Sequence, residues 1–124
     1  MAKQVKTGLI SVHLLIHANA MNLPFPDDEF NAVNCFGAIH LFSDLDQVFN
    51  EIYRVLKKGG VFITGALRRK SGQAGRRVAD IRKKIIGVDS YRFEELEELL
   101  RNAGFVNVEC HHNKGVWLIV SVVK

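Results

Sequence analysis

Residues 23–67 leave this chain few ways to fold. They read LPFPDDEFNAVNCFGAIHLFSDLDQVFNEIYRVLKKGGVFITGAL. A loop with two prolines and three consecutive acids gives way to a short apolar run, a helix with start and stop signals, a glycine pair and a second apolar run. That order is a complete βαβ unit. The rest of the chain reads as attachments to it.

Each part of the unit has a physical cause. The prolines and acids of residues 23–29 cannot continue a helix or a central strand, so they form a solvated connection. Phe30, Ala32, Val33, Cys35 and Phe36 supply the apolar content of the first run, and Gly37 permits close backbone approach at its end. A buried strand is expected over residues 32–36. Ser43 heads the sequence S-D-L-D, a capping-box variant with Asp46 three residues on, so a helix is expected to start there. Leu45, Val48, Phe49, Ile52, Val55 and Leu56 recur at helical spacing, leaving Asp46, Gln47, Asn50, Glu51 and Arg54 for water. Lys57 and Lys58 complement the helix's negative end, and Gly59 suits a left-handed cap. Gly60 releases the chain into a second strand over residues 61–67.

The flanking segments are simpler. Residues 1–7 are polar and basic, and read either as the last turn of a helix or as a frayed tail. Residues 9–18, LISVHLLIHA, are rich in Ile, Leu and Val with weak alternation, as expected of a strand buried on both faces. After a loop containing Ser71, Gly72 and Gly75, a short helix is expected over residues 76–86, with Val78, Ile81 and Ile85 as a narrow apolar stripe. From Ser90, Phe93, Leu96, Leu99, Leu100 and Ala103 form one helix face and four glutamates the other. Gly104 closes that helix, with Phe105 able to pack back. Residues 106–111 and 116–123 finish the chain as an antiparallel hairpin turning through His112, Asn113, Lys114 and Gly115.

A length of 124 residues makes one domain, long enough to bury a core without disulfides or metals. The longest apolar runs are under half of the ~18–20 residues a spanning helix needs, and the N-terminus lacks a convincing cleavage site. No membrane span or signal peptide is expected, and cytoplasm is the default compartment. Cys35 and Cys110, each inside an expected strand, read as small buried hydrophobes rather than a bridge. The formal charge of +4 is unevenly spread. Between Arg68 and Lys84, eight Lys or Arg face the single acid Asp80, and the remainder of the chain is net negative.

The run A-M-N-L-P-F-P-D-D-E-F, then I-H-L-F-S-D-L-D, then E-I-Y-R-V-L-K-K-G-G-V-F-I, resembles the class I S-adenosylmethionine-dependent methyltransferases of the ubiquinone/menaquinone-biosynthesis type. The later F-E-E-L-E-E-L-L-R-N-A-G-F and the closing hairpin are similar to that family's last helix and final strands, so the resemblance covers residues 8–124. It implies that residues 9–18, 32–36 and 61–67 are the family's third, fourth and fifth strands, with the hairpin as sixth and seventh. It implies S-adenosylmethionine as cofactor, with Asn19, Ala20 and Met21 against its adenine ring. Cys35, Phe36 and Gly37 would face its methionine end, and His40 and Leu41 would lie near the methyl group and acceptor. These positions suit the rule that open α/β sheets bind ligands outside the carboxyl ends of their strands.

The family's glycine-rich G-x-G-x-G loop and the acid that follows its second strand are not found in these residues, and Asn19 and Asn31 stand where it usually has Asp. The expected fold is therefore α/β, a Rossmann-like methyltransferase sheet truncated on its N-terminal side and finished by an antiparallel hairpin. It forms a single incomplete domain over residues 1–124. The expected function is methyl transfer to an unidentified small-molecule acceptor once a missing segment or partner completes the site. His40 is the candidate general base, although the reading favoured for it is a histidine capping a backbone group or facing water. No metal is expected, since the acidic triplet cannot converge easily and no histidine has ligand spacing to a cysteine. The open edge of the fourth strand implies either that residues 9–18 re-pair into the gap or that two copies pair as a homodimer. The alternative function is a non-catalytic module binding a partner or anionic ligand through residues 68–84, itself equally readable as a solvated helix face. Nucleic acid is not expected there, because no aromatics are interleaved.

Overall fold

The structure is a computed structural model describing residues 2–7, 10–70, 72–86 and 90–124, with side chains at 16–39, 41–70, 72–81, 83–85 and 90–124. Strands β1 (Ala2–Thr7) and β2 (Ile10–Leu15) form an antiparallel hairpin in register Ala2 to Leu15 and Thr7 to Ile10. Strand β3 (Phe30–Phe36) leads through a 3-10 turn at Ile39–Leu41 into helix α1 (Leu45–Val55) and strand β4 (Leu56–Leu67). Helices α2 (Gly72–Ile86) and α3 (Phe93–Asn102) follow, then strands β5 (Val106–Lys114) and β6 (Trp117–Val123). The second sheet has the order β3-β4-β6-β5, with β3 and β4 parallel and the other pairs antiparallel.

The expected α/β class, the βαβ unit and the terminal hairpin are all present, with β6 inserted between β4 and β5. One face of the sheet carries the core. Phe62, Thr64 and Ala66 of β4 and Leu118, Val120 and Val122 of β6 alternate onto that face and are buried. Leu45, Val48, Phe49 and Ile52 of α1 and Leu96 and Leu100 of α3 complete the cluster. Phe49, Phe62 and Phe105 stack in sequence at centroid distances of 5.8 Å, and Tyr53 meets Phe105 edge-on at 5.1 Å.

Several expectations are corrected. Residues 1–7 were expected to be a helix turn or a tail, but residues 2–7 are β1. The strand expected over residues 9–18 is shorter and does not enter the main sheet next to β3, so re-pairing into the gap is not what forms. The physical reason is local: an antiparallel partner a few residues away closes a far smaller loop than a strand beside β3. The expected burial of that strand lies outside the described residues. The strand expected as buried over residues 32–36 begins earlier and is only half-buried, because it sits at the sheet's edge with Ala32, Asn34 and Phe36 on the uncovered face.

The helix cap is Asp44 rather than Ser43: its carboxylate accepts a 3.1 Å hydrogen bond from the Gln47 amide. That helix stops at Val55, before Lys57 and Lys58, because Leu56 turns extended to pair with Phe30. Gly59 does take a positive φ of 79°, and its amide donates to the Lys124 carbonyl. Helix α2 begins at Gly72, earlier than expected. The acidic triplet is not merely solvated. The Asp28 and Glu29 amides donate to the Arg54 and Val55 carbonyls, Asp28 pairs with Lys124 at 2.9 Å, and Asp27 pairs with Arg54 at 2.8 Å.

Candidate functional site

The site lies beyond the carboxyl end of β3. Gly37 leaves the strand at a φ of 69°, which glycine tolerates without a Cβ penalty, and its amide donates to the Gly65 carbonyl at 2.9 Å. Thr64, fully buried on the neighbouring strand, donates its hydroxyl to the Cys35 carbonyl at 2.9 Å. The end of β3 is thereby locked to β4 by a side chain as well as by the ladder. Gly65 leaves room for the Phe36 ring, which lies across it on the uncovered face and is 56% exposed.

Residues 19–22 form the opposite wall. The Asn19 side-chain oxygen accepts from the Met21 amide at 2.9 Å, and the Asn22 amide donates to the Asn19 carbonyl at 3.0 Å. Gln47 of α1 reaches across and donates to the Met21 carbonyl at 3.1 Å, fixing this turn to the helix. The Asn19 oxygen thus does local work that an Asp oxygen would also do, with the formal charge removed.

Between these walls is a cleft of about 510 Å³ lined by Ala18, Ala20, Leu23, Val33, Asn34, Cys35, Ala38, Phe42, Val48 and Ile52. Its lining is largely apolar and carries no formal charge. Burial pushes the Cys35 thiol above its ordinary pKa, so it presents a neutral S–H and not a thiolate. Of the expected cofactor residues, Ala20 and Cys35 meet in this cleft. Asn19 and Met21 flank Ala20, and Phe36 and Gly37 follow Cys35, without lining it. His40 falls in the Ile39–Leu41 turn immediately past the strand, and its side chain lies outside the described residues.

Val48, Ile52 and Phe42 were not singled out as site residues. Val48 and Ile52 carry the same helical spacing as the core, so no sequence signal separates a residue under the cleft from one under the sheet. Elsewhere His111 contacts the Ser121 hydroxyl at 2.6 Å and His112 the Lys114 carbonyl at 3.1 Å. Cys35 and Cys110 are free thiols. Among the described residues no group of three or more His, Cys, Asp or Glu gathers at metal-binding distance.

The family model described as methyltransferase domain matches residues 1–64, more than half of the chain. A demethylmenaquinone methyltransferase of Symbiobacterium thermophilum is 33% identical over 118 residues, covering 73% of this chain and 47% of the relative. One from Listeria welshimeri is 52% identical over 46 residues, 37% of this chain and 20% of that relative. Among solved structures, a SAM-dependent methyltransferase of Thermotoga maritima superposes with a TM-score of 0.75 at 26% identity, covering 90% of this chain and 64% of that one. The YcgJ protein of Bacillus subtilis gives a TM-score of 0.66 at 26% identity, covering 77% and 42%. The chain spans half or less of the length of these curated relatives. It belongs to the methyltransferase-domain family, as a class I, Rossmann-like member that matches part of its relatives' length.

Proposed function

We propose that this chain supplies the acceptor-facing part of an S-adenosylmethionine-dependent methyltransferase site. The observation that carries the reading is the apolar cleft at the carboxyl end of β3, where residues 18–23 and residues 33–38 face each other in a family member. At about 510 Å³ it is within the usual range of small-molecule sites, about 300–1,000 Å³, and its neutral, largely apolar lining suits an adenine ring.

When bound, the cofactor supplies a methyl group on a sulfonium: the acceptor's electron pair forms a bond to that carbon as the carbon–sulfur bond breaks. The chain's own contribution is chiefly positional. Asn19, Ala20 and Met21, fixed by Gln47, hold the plane of the ring. Cys35, Phe36 and Gly37 set the approach of the methionine end, with Cys35 kept neutral so that no thiolate competes as nucleophile. His40, in the turn beyond the strand, would take a proton from an acceptor that must lose one. The relatives' name supports a quinone-type acceptor, a ring that an apolar cleft can receive.

Calorimetric titration of the full chain with S-adenosylmethionine tests the reading. Saturable heat in the micromolar range is expected, and its absence would reject it. The open edge of β3 carries a second part of the proposal, that a second copy covers it. Mass measurement in solution is expected to give a dimer. A monodisperse monomer would sink that part without touching the first.

A further inference from the structure

Among the described residues, the exposed large apolar side chains are not scattered. All except Val106 lie at the carboxyl end of the parallel strands (Phe36, Leu41, Val116, Trp117) or on helix α2, which follows β4 from that end. On α2, Val78, Ile81 and Ile85 recur at spacings of three and four, the pattern of a core-facing stripe, yet they are 55%, 58% and 75% exposed. None of them belongs to the buried core.

The reason is how the helix lies. Its small residues lie on the inner side: Gly75 is buried against the Lys70 carbonyl of the connection that leads into the helix, where a Cβ would not fit, and Ala79 is half-buried. Both line a cleft of about 350 Å³ shared with Arg68, Gly115, Val116 and Val78, so that Val78 stands at the border between the cleft and the exposed stripe. Ile81 and Ile85 do not line that cleft and are left facing outward. At about 100° per residue, exposed Arg77 and Lys84 fall roughly 70–95° to one side of that stripe, and Arg76 and Lys83 lie nearly opposite it, with the single acid Asp80 between. Within the same surface, Val116 and Trp117 are also exposed, at 56% and 44%.

We propose that α2 docks this protein onto an anionic lipid bilayer, lying in the plane of the surface. Val78, Ile81 and Ile85 enter the boundary of the acyl chains, and Arg77 and Lys84 extend to the phosphate layer. Charge complementarity selects this occupant. A second copy laid on the stripe would bring two strongly basic helices together, and the helix offers no aromatic on which a nucleic-acid base could stack. Among the described residues no helix is long and apolar enough to cross a membrane, so the contact is one of surface docking. Trp117 lies on the same side, suited by its amphipathic ring to the interfacial layer. The docking itself does not depend on methyl transfer.

The test is co-sedimentation of the full chain with vesicles of phosphatidylcholine alone and of phosphatidylcholine mixed with phosphatidylglycerol. Emission from Trp117, the single tryptophan of the chain, is followed in parallel. Binding with a blue shift is expected on the anionic vesicles at low salt, weakened at high salt and absent on phosphatidylcholine alone. R77Q/K84Q is expected to bind about 25-fold more weakly, at about fivefold per basic residue. I81D/I85D, whose sites are exposed and leave the circular dichroism unchanged, is expected to lose binding. No binding to the anionic vesicles, equal binding to both kinds, or undiminished binding by I81D/I85D would overturn the proposal. So would a dimer abolished by I81D/I85D, which assigns the stripe to a second copy, or an oligonucleotide that displaces the vesicles.

Discussion

Cys35 shows how one residue joins the fold to the site. Its carbonyl is held by the buried Thr64 hydroxyl, its side chain lines the cleft, and burial raises the pKa of its thiol. Because the folded state holds that proton more tightly than the unfolded chain, the corresponding stability is fully present below the ordinary thiol pKa. It is lost as pH rises through the raised folded value. Alkylation requires the thiolate, so Cys35 in the folded chain is expected to react with iodoacetamide only at higher pH than the same thiol in urea. A rate profile identical in the two states would remove burial as the cause. The residue scale is also where sequence reading reaches its limit. Ser43 and Asp44 are both good caps one position apart, and only the hydrogen bond to Gln47 separates them.

At the scale of elements, helix α1 organises its surroundings through Arg54. Its guanidinium donates to the Leu23 and Phe25 carbonyls at 3.0 and 2.8 Å and to Asp27 and Glu51 at 2.8 Å each, tying the proline-bearing loop to the helix. Those partners hold its pKa above even the usual arginine value, so it is charged at every working pH. Arg54→Ala is expected to cost about 2 kcal/mol, because two carbonyls and two carboxylates lose a charged donor together. Arg54→Lys is expected to recover little, since a point ammonium cannot match the planar fork. Urea denaturation checks both, and an unchanged midpoint for the alanine variant would contradict the staple.

In sequence this arginine reads as one more polar residue on a helix face, and the acids of the loop read as solvated. Periodicity records which residues share a face but not what lies opposite. The α2 stripe makes the same point in reverse: Val78, Ile81 and Ile85 are legible as a stripe, but it is not legible that Ile81 and Ile85 face outward while Val78 borders the cleft beside Gly75 and Ala79.

Over the whole molecule, the sequence was most legible where punctuation and periodicity agree: β3, α1, the glycine pair, β4, α3 and the final hairpin. The family resemblance numbers these segments as the fourth to seventh strands, while their order in space, β3-β4-β6-β5 with the last strand between β4 and β5, comes from the structure. It was least legible in residues 2–15, where β1 and β2 pair with each other, since strand-forming residues do not name their partner. The candidate site was legible in outline, as the carboxyl end of β3 and the turn after residue 18. Its apolar floor from α1 was indistinguishable from core.

The central claim is that S-adenosylmethionine occupies that cleft, and one labelling measurement addresses it directly. The rate of alkylation of each thiol is followed by mass spectrometry with and without S-adenosylmethionine, using exposed Cys110 on β5 as the internal reference. The account predicts that the cofactor slows labelling at Cys35 and leaves Cys110 unchanged. Equal rates at Cys35 with and without the cofactor would contradict it.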